Sequence, residues 1–140
     1  MQDKCIHYRK GYKYQLSEDY HLYVPTIKPS HDIETQFILL SMNGHGTIKS
    51  GYSWDGASGP TIDTSTNMRA SVEHDAFSQL ARQGILPPEW VIRFDQRFRE
   101  VCLIDKMCAF RAWYYYHMLQ LAGGFYCDPH NKRETFSAPD

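Results

Sequence analysis

The sequence predicts an α+β fold in which a small N-terminal antiparallel sheet packs against a C-terminal three-helix layer. Two observations carry this. Through about residue 55, aromatic and branched side chains alternate between turn signals, whereas from about residue 66 apolar positions recur at helical spacing. A third, the length of 140 residues, suits one domain with a single core that needs no crosslinks. Residues 1–55 are therefore expected to be β-rich, residues 66–125 helical, and residues 126–140 a loosely held polar tail.

In the β-rich part, residues 11–27 (GYKYQLSEDYHLYVPTI) read as a hairpin or two short strands around the Ser17-Glu-Asp turn. Residues 36–42 (QFILLSM) form an apolar run short enough for a central strand. Asn43-Gly44 then marks a hairpin turn, because both residues tolerate positive φ. Residues 46–52 supply the returning strand, which delivers the chain into Tyr52-Ser-Trp-Asp-Gly-Ala-Ser-Gly-Pro60, an extended segment followed by a tight loop stopped by proline.

In the helical part, Thr66 or Asn67 is placed to cap a first helix that runs to about Gln83, with Gly84 as its stop. Pro87-Pro88-Glu89 opens a second, whose apolar series Val91, Phe94, Phe98, Val101 sustains a helical period to about Cys108. A third, from about Phe110 to Ala122, is apolar on nearly every side and is expected to be deeply packed.

Composition excludes several functions. A net charge of −1 with scattered Lys and Arg does not provide the basic surface that nucleic acid requires. Met1–Lys10 is too polar for a secretory signal, and the apolar run Ala112–Phe125 is too short and too polar to span a bilayer. Cys5, Cys102, Cys108 and Cys127 show no CxxC spacing and are expected as reduced thiols, in keeping with synthesis in a cytoplasm. Cys5 and His7 with Cys127 and His130 could supply four zinc ligands, but their spacings match no standard module.

The chemistry concentrates on His74, Asp75 and Asp95. His74 shares a helix face with Ala70, Phe77 and Ala81, so it points inward. Asp95 lies in an apolar stripe with Val91, Phe98 and Cys102, where a carboxylate needs a partner. A histidine on the neighbouring helix would fit, and Asp95 would then fix its tautomer behind a general base. The plainer alternatives are a satisfied core histidine and an ion pair of Asp95 with Arg111 or Arg99. Asp75 is turned about 100° from His74. With Asp55 and the backbone oxygens of Trp54, Gly56 and Ser58 it could cage Ca²⁺ or another divalent cation, or else cap the loop amides. Ser58 lacks the strand-to-helix elbow of a nucleophile and reads as a turn residue. Arg111 reads as a structural partner for a carboxylate, and the Trp113–Tyr116 run as core.

Two resemblances follow from these motifs. Trp54-Asp-Gly-Ala-Ser-Gly-Pro60, Arg69-Ala-Ser-Val-Glu-His-Asp-Ala-Phe77, Asp95-x-x-Phe98, Arg111-Ala112 and Gly123-Gly124 resemble the phage and prophage family known only as domain of unknown function 1353, over about residues 46–125. That resemblance implies a phage origin but no reaction. More distantly, the Asp-Gly-x-Ser loop, the helical His-Asp pair and the later Asp-x-x-Phe are similar to the secreted and prokaryotic phospholipases A2. This implies His74 as the general base, Asp95 as its support, and Asp75 with Trp54, Gly56 and Ser58 near a Ca²⁺ ion. Ala57 stands where that family would have a cysteine, and the bracing disulfides are missing.

The function expected is a small phage-encoded, metal-dependent hydrolase, made in the host cytoplasm, with a membrane lipid as one candidate substrate. The alternative is a non-enzymatic virion protein of the tail or neck, carried in the particle and assembling with other virion proteins or with itself.

Overall fold

The computed structural model describes residues 2–9, 14–56 and 64–127, without the side chains of Arg9 and of residues 122–127. The fold is α+β, with strands in the N-terminal part and helices after it. The single sheet expected is in fact two. A three-stranded sheet has the order β1 (Tyr8–Arg9), β2 (Tyr14–Leu16), β7 (Ser53–Trp54). A four-stranded sheet has the order β3 (Tyr20–Tyr23), β6 (His45–Ile48), β5 (Ile38–Leu40), β4 (Ile33–Glu34). All neighbours are antiparallel. Residues 11–27 thus hold two short strands around Ser17–Asp19 and not a hairpin: β2 pairs with β1 and β7, while β3 crosses to β6.

Alternation sets which face each strand buries. Tyr20 and Leu22 point inward and His21 and Tyr23 outward on β3, and Gly46 and Ile48 are the buried pair on β6. The β5–β6 hairpin turns where Asn43-Gly44 predicts, through a loop closed by Ser41 N–H to the His45 carbonyl and Gly44 N–H to the Ser41 carbonyl. Gly44 takes φ +87°, and a Cβ there would sit 2.5 Å from the Val24 carbonyl oxygen. Glycine is required twice over at this position, for its backbone angle and for its missing side chain.

Helix α1 spans Met68–Arg82. Asn67 stands at its N-cap position without a side-chain capping bond, and its Oδ1 accepts the Thr64 N–H instead. At the other end Gly84 (φ +75°) completes a two-bond stop, with Ile85 N–H on the Leu80 carbonyl and Gly84 N–H on the Ala81 carbonyl. A short 3₁₀ turn, Pro88–Trp90, leads into α2 at Val91–Ile104. That helix ends about one turn before the expected Cys108. Lys106 adopts φ +76° and the same two-bond stop forms on Leu103 and Cys102, a termination that no glycine announces.

Helix α3 spans Ala109–Cys127, beyond the predicted Ala122 and into the stretch expected as tail. It is not deeply packed. Ala112, Tyr115 and Leu119 are buried, whereas Phe110, Trp113, Tyr114 and Leu121 are exposed, so the Trp113–Tyr116 run is core only at Tyr115. No described helix is long and apolar enough to cross a membrane.

Two apolar clusters meet at α1. One joins the inner faces of both sheets to Val72, Ala76, Phe77 and Leu80 of α1 and to Phe94 of α2. The other holds Ala70 with Phe98, Val101 and Cys102 of α2 and Ala112, Tyr115 and Leu119 of α3. With 12 of its 15 residues buried, α1 is the axis on which the fold is assembled, and its polar residues need internal partners. Glu73, 1 % exposed, receives the Tyr20 hydroxyl at 2.8 Å and Arg97 Nε at 2.9 Å. Arg69 forms a two-pronged pair with Asp105. Burial, reinforced by the Glu73 carboxylate, pushes the Tyr20 phenol far above its ordinary pKa.

Candidate functional site

Helix geometry gives α1 three polar faces, and adjacent residues on them serve different neighbours. His74 faces α2. Its Nε2 lies 2.6 Å from Asp95 Oδ1, and the edge of its ring meets Phe98 with centroids 5.8 Å apart. Asp95 has no exposed surface, and its second oxygen accepts Nε2–H of Gln120 from α3, also at 2.6 Å. The neighbours Arg111 and Arg99 do not take this role. Arg111 turns to the Tyr115 hydroxyl (3.1 Å) and ring, and Arg99 lies over the Tyr116 ring.

Each Asp95 oxygen thus has one donor, and the donors come from different helices. A carboxylate accepts but cannot donate, so it fixes the proton of a neutral His74 on Nε2 and leaves the Nδ1 lone pair as the available base. No hydrogen bond joins Nδ1 to another described residue. His74 is itself buried, at 5 % exposure. A buried, oriented imidazole backed by a carboxylate can take a proton from water and be stabilised while it holds it.

Asp75 lies on the next face of α1, toward β7. The Tyr52 hydroxyl is 2.8 Å from Asp75 Oδ2 and 3.1 Å from Gln79 Oε1, so its single proton goes to the nearer, charged acceptor. Two residues further along the chain, Trp54 is 2 % exposed and donates its indole N–H to Ser71 Oγ, one turn before Asp75. Ser71 passes its own proton to the Met68 carbonyl. These bonds lay the Tyr52–Trp54 segment along the Ser71–Asp75–Gln79 face of α1. Asp55 is exposed just beyond, Gly56 is buried at φ +90°, and Ser58 lies outside the described residues.

Oxygen donors around Asp75 suit a hard cation in type. Among the described residues there is no group of three or more His, Cys, Asp or Glu side chains that could hold a metal. An ion here would rest on Asp75 and backbone oxygens. As for the zinc ligands considered above, Cys5 Sγ lies 3.6 Å from His7 Nε2, but the Cys127 side chain and His130 lie outside the described residues. Cys5, Cys102 and Cys108 are free thiols.

Several clefts bordered by described residues lie away from this constellation. One of about 380 Å³ runs over the outer face of the four-stranded sheet, and another of about 590 Å³ lies between residues 28–31 and 84–90.

Two members of this constellation escape sequence reasoning, Gln120 and Tyr52. The only sign of Gln120 is an amide within an otherwise apolar run, and Tyr52 is one of ten tyrosines. No protein-family model, no curated protein and no solved structure matches the chain.

Proposed function

We propose that the protein is a small hydrolase in which His74 is the general base and Asp95 the residue that positions it, and that it is phage-encoded, as the motif resemblance implies. The observation that supports this reading is the buried 2.6 Å contact between His74 Nε2 and Asp95 Oδ1, with the second Asp95 oxygen held by Gln120.

His74 Nδ1 takes a proton from a water whose oxygen attacks the acyl carbon or phosphorus of an ester, amide or phosphodiester. The imidazolium so formed sits against the Asp95 carboxylate, which offsets its charge, and it returns the proton to the leaving group as the bond to that group breaks. Phe98 and the α2–α3 contact keep water from the far side of the ring, so the Asp95 charge is felt more strongly there than in bulk solvent. A cation such as Ca²⁺, held by Asp75 with the Trp54 and Gly56 carbonyls, would supply positive charge for the developing oxyanion.

Turnover of ester, amide and phosphodiester substrates by wild type and His74→Gln tests the proposal. A His74→Gln protein as fast as wild type on every substrate that wild type cleaves would overturn it. The cation is tested without reference to activity. An ion that binds only the folded state must raise the melting temperature, and Asp75→Asn must lose that rise. Equal melting in Ca²⁺ and in chelator would remove Ca²⁺ from the scheme.

A second reading, an assembly role among virion proteins, is favoured by the exposed aromatic side of α3.

A further inference from the structure

Helix α3 has two apolar sides. Phe110, Trp113, Tyr114, His117 and Leu121 fall within about 60° of one line along the helix, diametrically opposite the buried Ala112, Tyr115 and Leu119. All five are exposed, Phe110 by 72 % and Leu121 by 83 %. The rings are already ordered against one another: Phe110 and Trp113 stack at 6.1 Å, and Trp113 meets His117 at 4.5 Å. Phe110, Trp113, Tyr114 and Leu121 expose on the order of 500 Å² per copy, and pairing two such faces would remove about 1,000 Å², the lower bound for a specific interface.

The chemistry of the face selects its occupant. Across Ala109–Cys127 the only Asp, Glu, Lys or Arg is Arg111, and its guanidinium is turned to Tyr115. The face itself carries no charge, and Arg111 and Arg99 stand only at its flanks, on the Tyr115 and Tyr116 rings; a helix drawn to an anionic membrane, or to a charged partner, needs a whole charged face. A surface of this composition meets its own copy with no like charges opposed.

The spacing of Phe110, Tyr114, His117 and Leu121 is four, three, four, that of a helix-pairing seam. The spacing is also symmetric about its midpoint. We propose that α3 pairs antiparallel with α3 of a second copy of this chain, Phe110 against Leu121 and Tyr114 against His117 of the other copy. A parallel pair would oppose His117 to His117 and align the two helix dipoles side by side. The pairing is a two-fold contact that closes on itself, so it yields a dimer rather than a filament. It does not depend on the hydrolase reading.

The test is sedimentation of the full chain at micromolar concentrations. Wild type should be a reversible dimer. Leu121→Glu and Phe110→Lys alone should each raise the dissociation constant at least tenfold, and their double variant should regain affinity because Lys and Glu then face each other across the antiparallel seam. Ile92→Glu, at a half-exposed apolar position on α2, should change nothing. The altered positions are open to solvent, so each variant should melt as a folded protein.

A wild-type monomer throughout, or a dimer that Leu121→Glu does not weaken or that Ile92→Glu weakens as much, would overturn the proposal. A double variant weaker than either single one would overturn the antiparallel arrangement. A monomer that pairs only after removal of residues 128–140, or that floats with anionic vesicles, would assign the face to the chain's own tail or to lipid and overturn it equally.

Discussion

A carboxylate with no exposed surface must be satisfied from within, and Asp95 answers that requirement with one donor per oxygen. Replacement by Asn keeps the shape and an acceptor for His74, so Asp95→Asn should cost only about 1–2 kcal/mol of stability in urea. If His74 is the base, the same change removes the charge behind the imidazolium and should lower turnover about 10²–10⁴-fold. Asp95→Ala leaves both donors unpaired and should cost about 3–5 kcal/mol. An Asn variant as unstable as the Ala variant but fully active would mark the pair as purely structural. Cys102 gives a second test at this scale. Burial, with Asp105 adding to it, pushes its thiol from 9.0 up to about 12. The neutral thiol is the form that the fold accepts, so its contribution is whole below pH 9 and is lost as pH rises toward 12. Cys102→Ala should therefore lose about 2 kcal/mol less than wild type between pH 8 and pH 11, as read from urea denaturation at both values.

Elements were legible where one local signal decides them. Alternation marked the short strands on either side of Ser17–Asp19, Asn43-Gly44 located a turn, and Gly84 ended α1. The stop at Lys106 left no such mark, because a lysine can take positive φ when the two-bond cap and the surrounding packing hold it there. Helix α3 misled for another reason: composition reports how apolar a helix is, not which of its sides another element covers. Two glycines separate the physical causes that can fix a turn. Gly44→Ala meets both an unfavourable φ and the Val24 carbonyl oxygen at 2.5 Å, and should cost about 3 kcal/mol or more. Gly84→Ala meets the φ penalty alone, with nothing within 4 Å, and should cost about 1 kcal/mol. Thermal melts of the two proteins that come out equal would show that the Gly44 turn relaxes away from Val24.

Across the whole molecule, α1 carries three adjacent polar residues to three destinations: Glu73 to Tyr20 and Arg97, His74 to Asp95, and Asp75 to Tyr52. The His74–Asp95 encounter could be inferred from sequence because each residue interrupts an apolar stripe on its own helix. Glu73 and Arg97 gave no comparable signal, since a charged residue on an amphipathic helix ordinarily faces water. The N-terminal segment extends this network over the edge of the four-stranded sheet. Asp3 N–H donates to the His21 carbonyl, Asp3 Oδ2 accepts the His21 N–H, and Gln2 Oε1 accepts the Tyr23 N–H. The same Gln2 amide also joins the Tyr20 hydroxyl to Arg97 Nη2. The double variant Gln2→Ala, Asp3→Ala removes two acceptors from the strand edge and one link from the buried network. With these four side-chain hydrogen bonds lost, at roughly 1 kcal/mol net for each, it should destabilise the fold by about 4 kcal/mol. Hydrogen exchange locates the effect: the His21 and Tyr23 amides should lose protection well before the amides of α3, because the strand edge opens locally while the helical cluster around Val101 and Cys102 is untouched. Uniform loss of protection across strands and helices would mean instead that this short segment holds the two layers together.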